Sequence, residues 1–240
     1  KQPHFDVVLV TMPPFSIALG ALKLSKRFNA KFVLDYRDPW TDLPDKELYL
    51  RLHGRDMTKT FATMEARCLD AAQLVVTVSP AIERMLEKRR SDLPVKTIPQ
   101  GYTGVISGAN PVEDFFLYAG SLAYGRSLSE ILAALMELNR GNSRRITLKY
   151  CGDHTDFASK QAEAVGALDL LENLGSLGQS DVDELARRAL GSFVIVSPRF
   201  EYAYPGKLFD LVNSGRPILV ISSEPCEAGK LVQEFQLGQS

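Results

Sequence analysis

Short apolar, often β-branched runs alternate with longer amphipathic stretches along nearly the whole chain. No other feature limits the fold as strongly. Phe5-Asp6-Val7-Val8-Leu9-Val10-Thr11 reads as a buried strand that Pro13-Pro14 ends. Residues 16–28 have helical spacing, with Ile17, Ala21, Leu24 and Phe28 on one face. Lys31-Phe32-Val33-Leu34-Asp35 is a second strand. A long helical pattern follows over about 46–72, with Leu48, Leu52, Phe61, Met64 and Leu69 on or near one face. Leu74-Val75-Val76-Thr77-Val78 is a third strand. Ser79 then caps a helix with Pro80 at its first position, running to about Arg90. Val95-Lys96-Thr97-Ile98 is a fourth strand.

Residues 99–111 are rich in Gly and Pro and have no period, which places a domain boundary there and predicts domains at 1–105 and 106–240. The alternation then restarts with a strand at Phe115-Phe116-Leu117-Tyr118-Ala119. Ser127-Leu128-Ser129-Glu130 reads as a capping box opening a helix to about Arg140. Strands follow at 145–151, 191–196 and 216–221. Helices are expected at about 156–166, after Ser180, at 206–214 and from about Glu227. Strands separated by helices build parallel sheets, so the fold class is α/β with two Rossmann-like domains. Such folds bind ligands at the carboxyl ends of their strands, and the candidate chemistry is sought there.

The 240 residues carry 28 Lys+Arg against 29 Asp+Glu, a balance that argues against a nucleic-acid partner. Residues 1–105 hold a basic excess, including Arg84, Lys88, Arg89 and Arg90 on one helix, and the rest of the chain an acidic one. That helix reads either as a solvated face or as a peripheral contact with an anionic membrane surface or acceptor. No apolar run approaches the roughly 20 residues that span a bilayer. Cys68, Cys151 and Cys226 are few, odd in number and widely spaced, which points to core thiols in a reducing cytosol.

Three segments could carry chemistry. Tyr204-Pro205-Gly206-Lys207-Leu208-Phe209-Asp210 opens a helix after a strand and loop, where backbone N–H groups and Lys207 could meet phosphate and Asp210 a ribose. On residue type alone the ordinary reading prevails, a Pro-started helix with a surface Lys and a solvated Asp. Tyr118-Ala119-Gly120-Ser121-Leu122-Ala123-Tyr124-Gly125-Arg126 brackets a strand-end turn with glycines. Gly120 lets a ligand approach the backbone, and Arg126 could hold a diphosphate. Asp35-Tyr36-Arg37-Asp38-Pro39-Trp40 puts two acids, an Arg and the only Trp after a strand. Its alternative reading is an Arg–Asp bridge holding a loop beside a core Trp. Asp181-Val182-Asp183 reads as a dipole complement behind a Ser180 cap rather than a metal site, and the three histidines are too scattered for one.

In this order, the segments resemble the GT-B glycosyltransferases, and among them glycosyltransferase family 4. In the first domain the likeness rests on Thr11-Met12-Pro13-Pro14-Phe15-Ser16, residues 35–40, the pattern from Glu65 to Ser79, and Ile98-Pro99-Gln100-Gly101-Tyr102. In the second it rests on Tyr118-Ala119-Gly120-Ser121-Leu122, Gly152 and residues 205–217. The resemblance implies two Rossmann-like domains facing each other across a cleft. It implies retaining transfer of a sugar from a nucleotide-diphosphate donor to a saccharide or lipid-linked acceptor, in cytoplasmic polysaccharide or glycolipid biosynthesis. No metal and no cofactor is implied. It assigns donor binding to Gly120, Ser121, Arg126, Glu201, Gly206, Lys207 and Asp210, and leaves Arg37 and Asp38 as acceptor-side catalytic candidates.

Two departures accompany it. Ser121 stands where the family often has Arg, and the family's spaced glutamate pair is represented by Asp210 with Glu201 one residue out of step. These departures keep open a non-catalytic nucleotide-sugar-binding or interaction module and a sugar-nucleotide epimerase of the same fold. The resemblance also implies a fragment: the first domain's sheet is expected to look incomplete, and the isolated piece to be inactive.

Overall fold

The computed structural model describes residues 4–42, 51–52, 55–101, 111–141 and 143–240. The chain divides into two compact units, one of Lys1–Pro99 with Tyr202–Tyr204, the other of Gln100–Glu201 with Pro205–Ser240. The boundary expected between residues 105 and 106 lies outside the described residues.

In the first unit, β1 (Val7–Met12), β2 (Lys31–Tyr36), β5 (Leu74–Thr77) and β6 (Val95–Thr97) form a parallel four-stranded sheet in the order β1-β2-β5-β6. α1 (Ile17–Phe28), α2 (Thr58–Ala71) and α3 (Pro80–Arg89) supply the crossovers that parallel pairing requires. Ser79 caps α3 as expected, its Oγ accepting from the Ile82 N–H at 3.3 Å with Pro80 at the first position. β3 (Arg51–Leu52) and β4 (Arg55–Asp56) pair as a small antiparallel ribbon where a continuous helix is expected. Helix begins only at Thr58, and residues 43–50 of that expected helix are outside the description.

The expected apolar faces need two corrections. β1 lies at one edge of the described sheet, and only one of its two faces is covered: Val10 and Met12 are buried while Val7 and Leu9 are exposed, Leu9 to 61 %. α1 buries Ala18, Ala21, Leu22 and Ser25, leaving Ile17 and Leu24 in solvent. The covered stripe shares Ala21 with the expected face but runs through Ala18, Leu22 and Ser25 instead of Ile17 and Leu24.

In the second unit, β7 (Phe115–Ala119), β8 (Thr147–Cys151), β9 (Leu171–Gly175), β10 (Gly191–Ile195), β11 (Ile218–Ile221) and β12 (Gly238–Gln239) form a parallel sheet in the order β12-β11-β10-β7-β8-β9. Its helices are α4 (Ser129–Arg140), α5 (Thr155–Ala164), α6 (Gln179–Arg188), α7 (Gly206–Val212) and α8 (Glu227–Glu234). The chain runs outward from β7 through β8 to β9, then returns to the other side of β7 as β10. The strand order therefore reverses between β7 and β10.

Two expected caps take other forms. Ser127 Oγ accepts from the Ser129 N–H at 3.1 Å, so it closes a tight turn before α4 instead of a capping box. Gly178, not Ser180, precedes α6, and Ser180 lies inside its first turn beside Asp181. Among the described residues no helix is long and apolar enough to cross a membrane.

The edge strand leads to a direct test. Leu9→Lys should leave the urea unfolding midpoint within about 0.5 kcal/mol of wild type, as for other exposed sites. It should reduce self-association in sedimentation, because a charge on an exposed apolar edge blocks strand addition. A large loss of stability would show that Leu9 is covered in solution.

Candidate functional site

The strand ends in the second unit surround a cavity of about 210 Å³. Its wall comes from Tyr118–Ser121 at the end of β7, Arg126 in the following turn, Phe193–Ile195 at the end of β10, and Pro205–Lys207 at the start of α7. It sits where the strand order reverses, the place at which an open parallel sheet leaves a crevice for a ligand. Five expected donor residues meet there: Gly120, Ser121, Arg126, Gly206 and Lys207.

Local chemistry positions each of them. Arg126 spans the crevice, its Nε donating to the Ile195 carbonyl at 3.1 Å and its guanidinium lying 5.9 Å from the Phe200 ring centroid. The turn that carries Arg126 contains Tyr124 and Gly125, both with positive φ. Ser121 Oγ accepts from the Ala123 N–H at 3.1 Å, which closes the first part of that turn. Gly120 donates its N–H to the Cys151 carbonyl at 2.9 Å, joining the β7 loop to the end of β8. Lys207 Nζ donates to Gln179 Oε1 at 2.5 Å and lies 3.4 Å from Asp210 Oδ2, one turn along α7. Asp210 thus stands beside the cavity's cation without lining the cavity itself.

Glu201 differs from the others. It follows the short 3-10 turn Pro198–Phe200 and does not line the cavity. Its Oε1 is buried with no hydrogen-bond partner among the described residues, while its carbonyl accepts from the Glu227 N–H at 2.9 Å. Sequence reasoning did not single out Gln179 or the β10 wall. Gln179 carries no local signal, since only packing of α6 against α7 brings it to Lys207. Gly152 entered through the family likeness alone, and its neighbour Tyr150 had no signal at all.

In the first unit, Arg37 and Asp38 lie in the loop after β2, both half-buried. Among the described residues no ion pair joins Arg37 to Asp35 or to Asp38. Burial pushes the Asp38 carboxyl above its ordinary range, and the Arg37 charge pulls it part of the way back. Below them lies a polar network centred on Glu65 of α2, which is 1 % exposed. Glu65 accepts from the Tyr36 and Thr41 hydroxyls and from Arg89 Nη1 at 2.6 Å. Arg89 also reaches Asp42 at 2.6 Å and Thr41 at 2.9 Å, and the Trp40 N–H donates to the Tyr36 hydroxyl at 2.7 Å. Trp40 stacks on Phe15 at 5.3 Å between centroids. Burial, and then the Glu65 carboxylate, hold the Tyr36 phenol well above its usual value, so it stays a neutral donor. The loop bearing Arg37 and Asp38 is thus tied at both ends to a buried carboxylate.

Two cations of the basic segment have acidic partners. Arg89 serves Glu65 and Asp42, while Arg90 pairs with Asp70 and with Asp92 at 2.8 Å. These two cations thus pair with acids of the same unit.

Solved structures share this architecture. A structure described as the GtfA/B complex is 18% identical with a TM-score of 0.64, covering 99% of this chain and 46% of that one. WaaG, a glycosyltransferase involved in lipopolysaccharide biosynthesis, is 18% identical with a TM-score of 0.59, covering 90% and 66%. HepE from Anabaena, solved in complex with UDP and glucose, is 14% identical with a TM-score of 0.58, covering 89% and 59%. The two Rossmann-like units match those of the GT-B fold. The chain spans about half to two thirds of the length of these structures. No protein-family model matches the sequence, and no curated protein does.

The Glu65 network sets a measurable requirement. Glu65→Gln should lower the unfolding free energy by about 3 kcal/mol in urea titrations, the lower end for breaking a buried ion pair. The lower end applies because Arg89 keeps 33% of its side chain in water. A loss below about 1 kcal/mol would mean that the network contributes as little as a surface pair.

Proposed function

We propose that this chain belongs to a retaining glycosyltransferase, with its second unit holding the nucleotide-diphosphate sugar and its first unit facing the acceptor. The observation that carries this reading is the cavity at the β7/β10 reversal, where Gly120 and Gly206 admit a ligand close to the backbone and Arg126 and Lys207 supply positive charge. The HepE structure with UDP and glucose supports a uridine diphosphate sugar as the first donor to test.

In this reading the bond from the sugar's anomeric carbon to the diphosphate breaks, and an acceptor hydroxyl oxygen takes its place with configuration retained. The hydroxyl proton leaves with the departing phosphate. Negative charge grows on the diphosphate as the bond breaks, and Arg126 and Lys207 are placed to stabilise it. Asp210, held beside Lys207, accepts hydroxyl hydrogen bonds from the ribose. Arg37 and Asp38 are the acceptor-side residues, the Asp38 carboxyl shifted upward by burial and partly back by the Arg37 charge. The acceptor is a saccharide or a lipid-linked saccharide. Glu201's position off the cavity wall favours one alternative, a module that binds the nucleotide sugar without transferring it.

Calorimetric titration with UDP and UDP-glucose tests the site. Lys207→Ala and Asp210→Ala should each weaken binding about tenfold or more, the effect of losing a hydrogen bond to a charged group, about 1.5–3 kcal/mol. Wild-type affinity in both variants would overturn the assignment. Release of free UDP from the donor by the complete protein would exclude the non-catalytic alternative.

A further inference from the structure

Two buried tyrosines stand side by side beneath the cavity's loops. Tyr118 is the penultimate residue of β7 and Tyr150 of β8, and the two are register partners in the parallel ladder. Their rings stack at 5.8 Å with an interplanar angle of 14°. Each hydroxyl reaches the loop that its own strand opens. Tyr118 donates to the Ser121 carbonyl at 2.9 Å, and Tyr150 accepts from the His154 N–H at 3.3 Å.

Each tyrosine is followed two positions later by glycine, and the spacing has a steric cause. A Cβ on Gly120 would stand 3.3 Å from the Tyr118 hydroxyl oxygen. A Cβ on Gly152 would overlap the Tyr150 hydroxyl and lie 2.5 Å from the Gly120 carbonyl oxygen. The backbone turns directly over each ring edge, and the two turns touch. Burial pushes the Tyr118 phenol up to about 12 and raises that of Tyr150, so both stay neutral hydroxyls at physiological pH.

We propose that Tyr118 and Tyr150 are positioning residues for the donor cavity: their hydroxyls brace the loops after β7 and β8, and Tyr118 thereby holds Gly120, Ser121 and Arg126 where a diphosphate is bound. The inference rests on the donor-site reading. Its chemistry is that an anion is repelled by carbonyl oxygens. The Tyr118 hydroxyl occupies the Ser121 carbonyl, and without it the loop is free to turn that oxygen toward the anion.

Tyr118→Phe removes one oxygen and keeps the ring stack. Amide hydrogen exchange over residues 120–126 should accelerate about fivefold or more in this variant, and exchange at 152–155 should do so in Tyr150→Phe. Titration with UDP, GDP and ADP identifies the tightest-binding nucleotide. Tyr118→Phe should weaken that one about three- to tenfold, the equivalent of one neutral hydrogen bond. A purely structural tyrosine would lower the melting temperature and leave affinity unchanged, and that result would overturn the inference. Unchanged exchange in both variants would remove the brace itself. If wild-type protein binds none of the three nucleotides, the donor-site reading fails and this inference falls with it, whereas loss of the effect in Tyr118→Phe alone refutes only the brace.

Discussion

β7 pairs in parallel with both β8 and β10, and the candidate donor site follows from that double pairing. Parallel neighbours cannot be joined by a tight turn, so each connection crosses the sheet through a helix. Such crossovers share one hand, so a chain that first runs outward from β7 and then returns beside it places its helices on opposite faces. The loops leaving β7 and β10 then diverge. The gap between them is the cavity lined by Gly120, Arg126, Gly206 and Lys207. Little else is needed to make a ligand crevice there, and the side chains at its rim decide which ligand it takes.

The first unit is organised around a different constraint, the cost of burying a carboxylate. Glu65 is almost wholly out of water, which is tolerable only because two hydroxyls and the Arg89 guanidinium surround it. Those partners come from β2, from the loop that follows it and from α3, so satisfying one charge draws together three parts of the unit. The same requirement commits Arg89 of α3 to the interior of its own unit.

The parts legible in the sequence were those with a local physical cause. The strands Leu74–Thr77 and Phe115–Ala119 are short apolar runs rich in β-branched and aromatic residues, and the Ser79-Pro80 start of α3 is set by two adjacent residues. β9 was missed because Leu-Glu-Asn-Leu-Gly has no apolar run, and its ladder with β8 supplies what its side chains do not. The face of α1 was read only in part: Ala21 is buried as expected, but the covered stripe continues through Ala18, Leu22 and Ser25 rather than through Ile17 and Leu24. The site divides in the same way. Glycines and a lysine after strands could be read directly, whereas the Gln179 partner of Lys207 and the stacked tyrosines depend on segments far apart in the chain.

The sequence by itself determined an α/β chain of parallel strands in two series, because hydrophobic period and turn chemistry act over a few residues. It also placed the candidate ligand residues at strand ends, since Gly and Pro mark where strands stop. Only the tertiary structure decided the strand order, and with it which strand ends face one another. That order depends on how crossover helices cover the two faces of a sheet, a balance of packing over the whole unit that no short window contains. It moved Glu201 off the cavity wall, brought Lys207 beside Gln179, and stacked two tyrosines from neighbouring strands under the glycine loops.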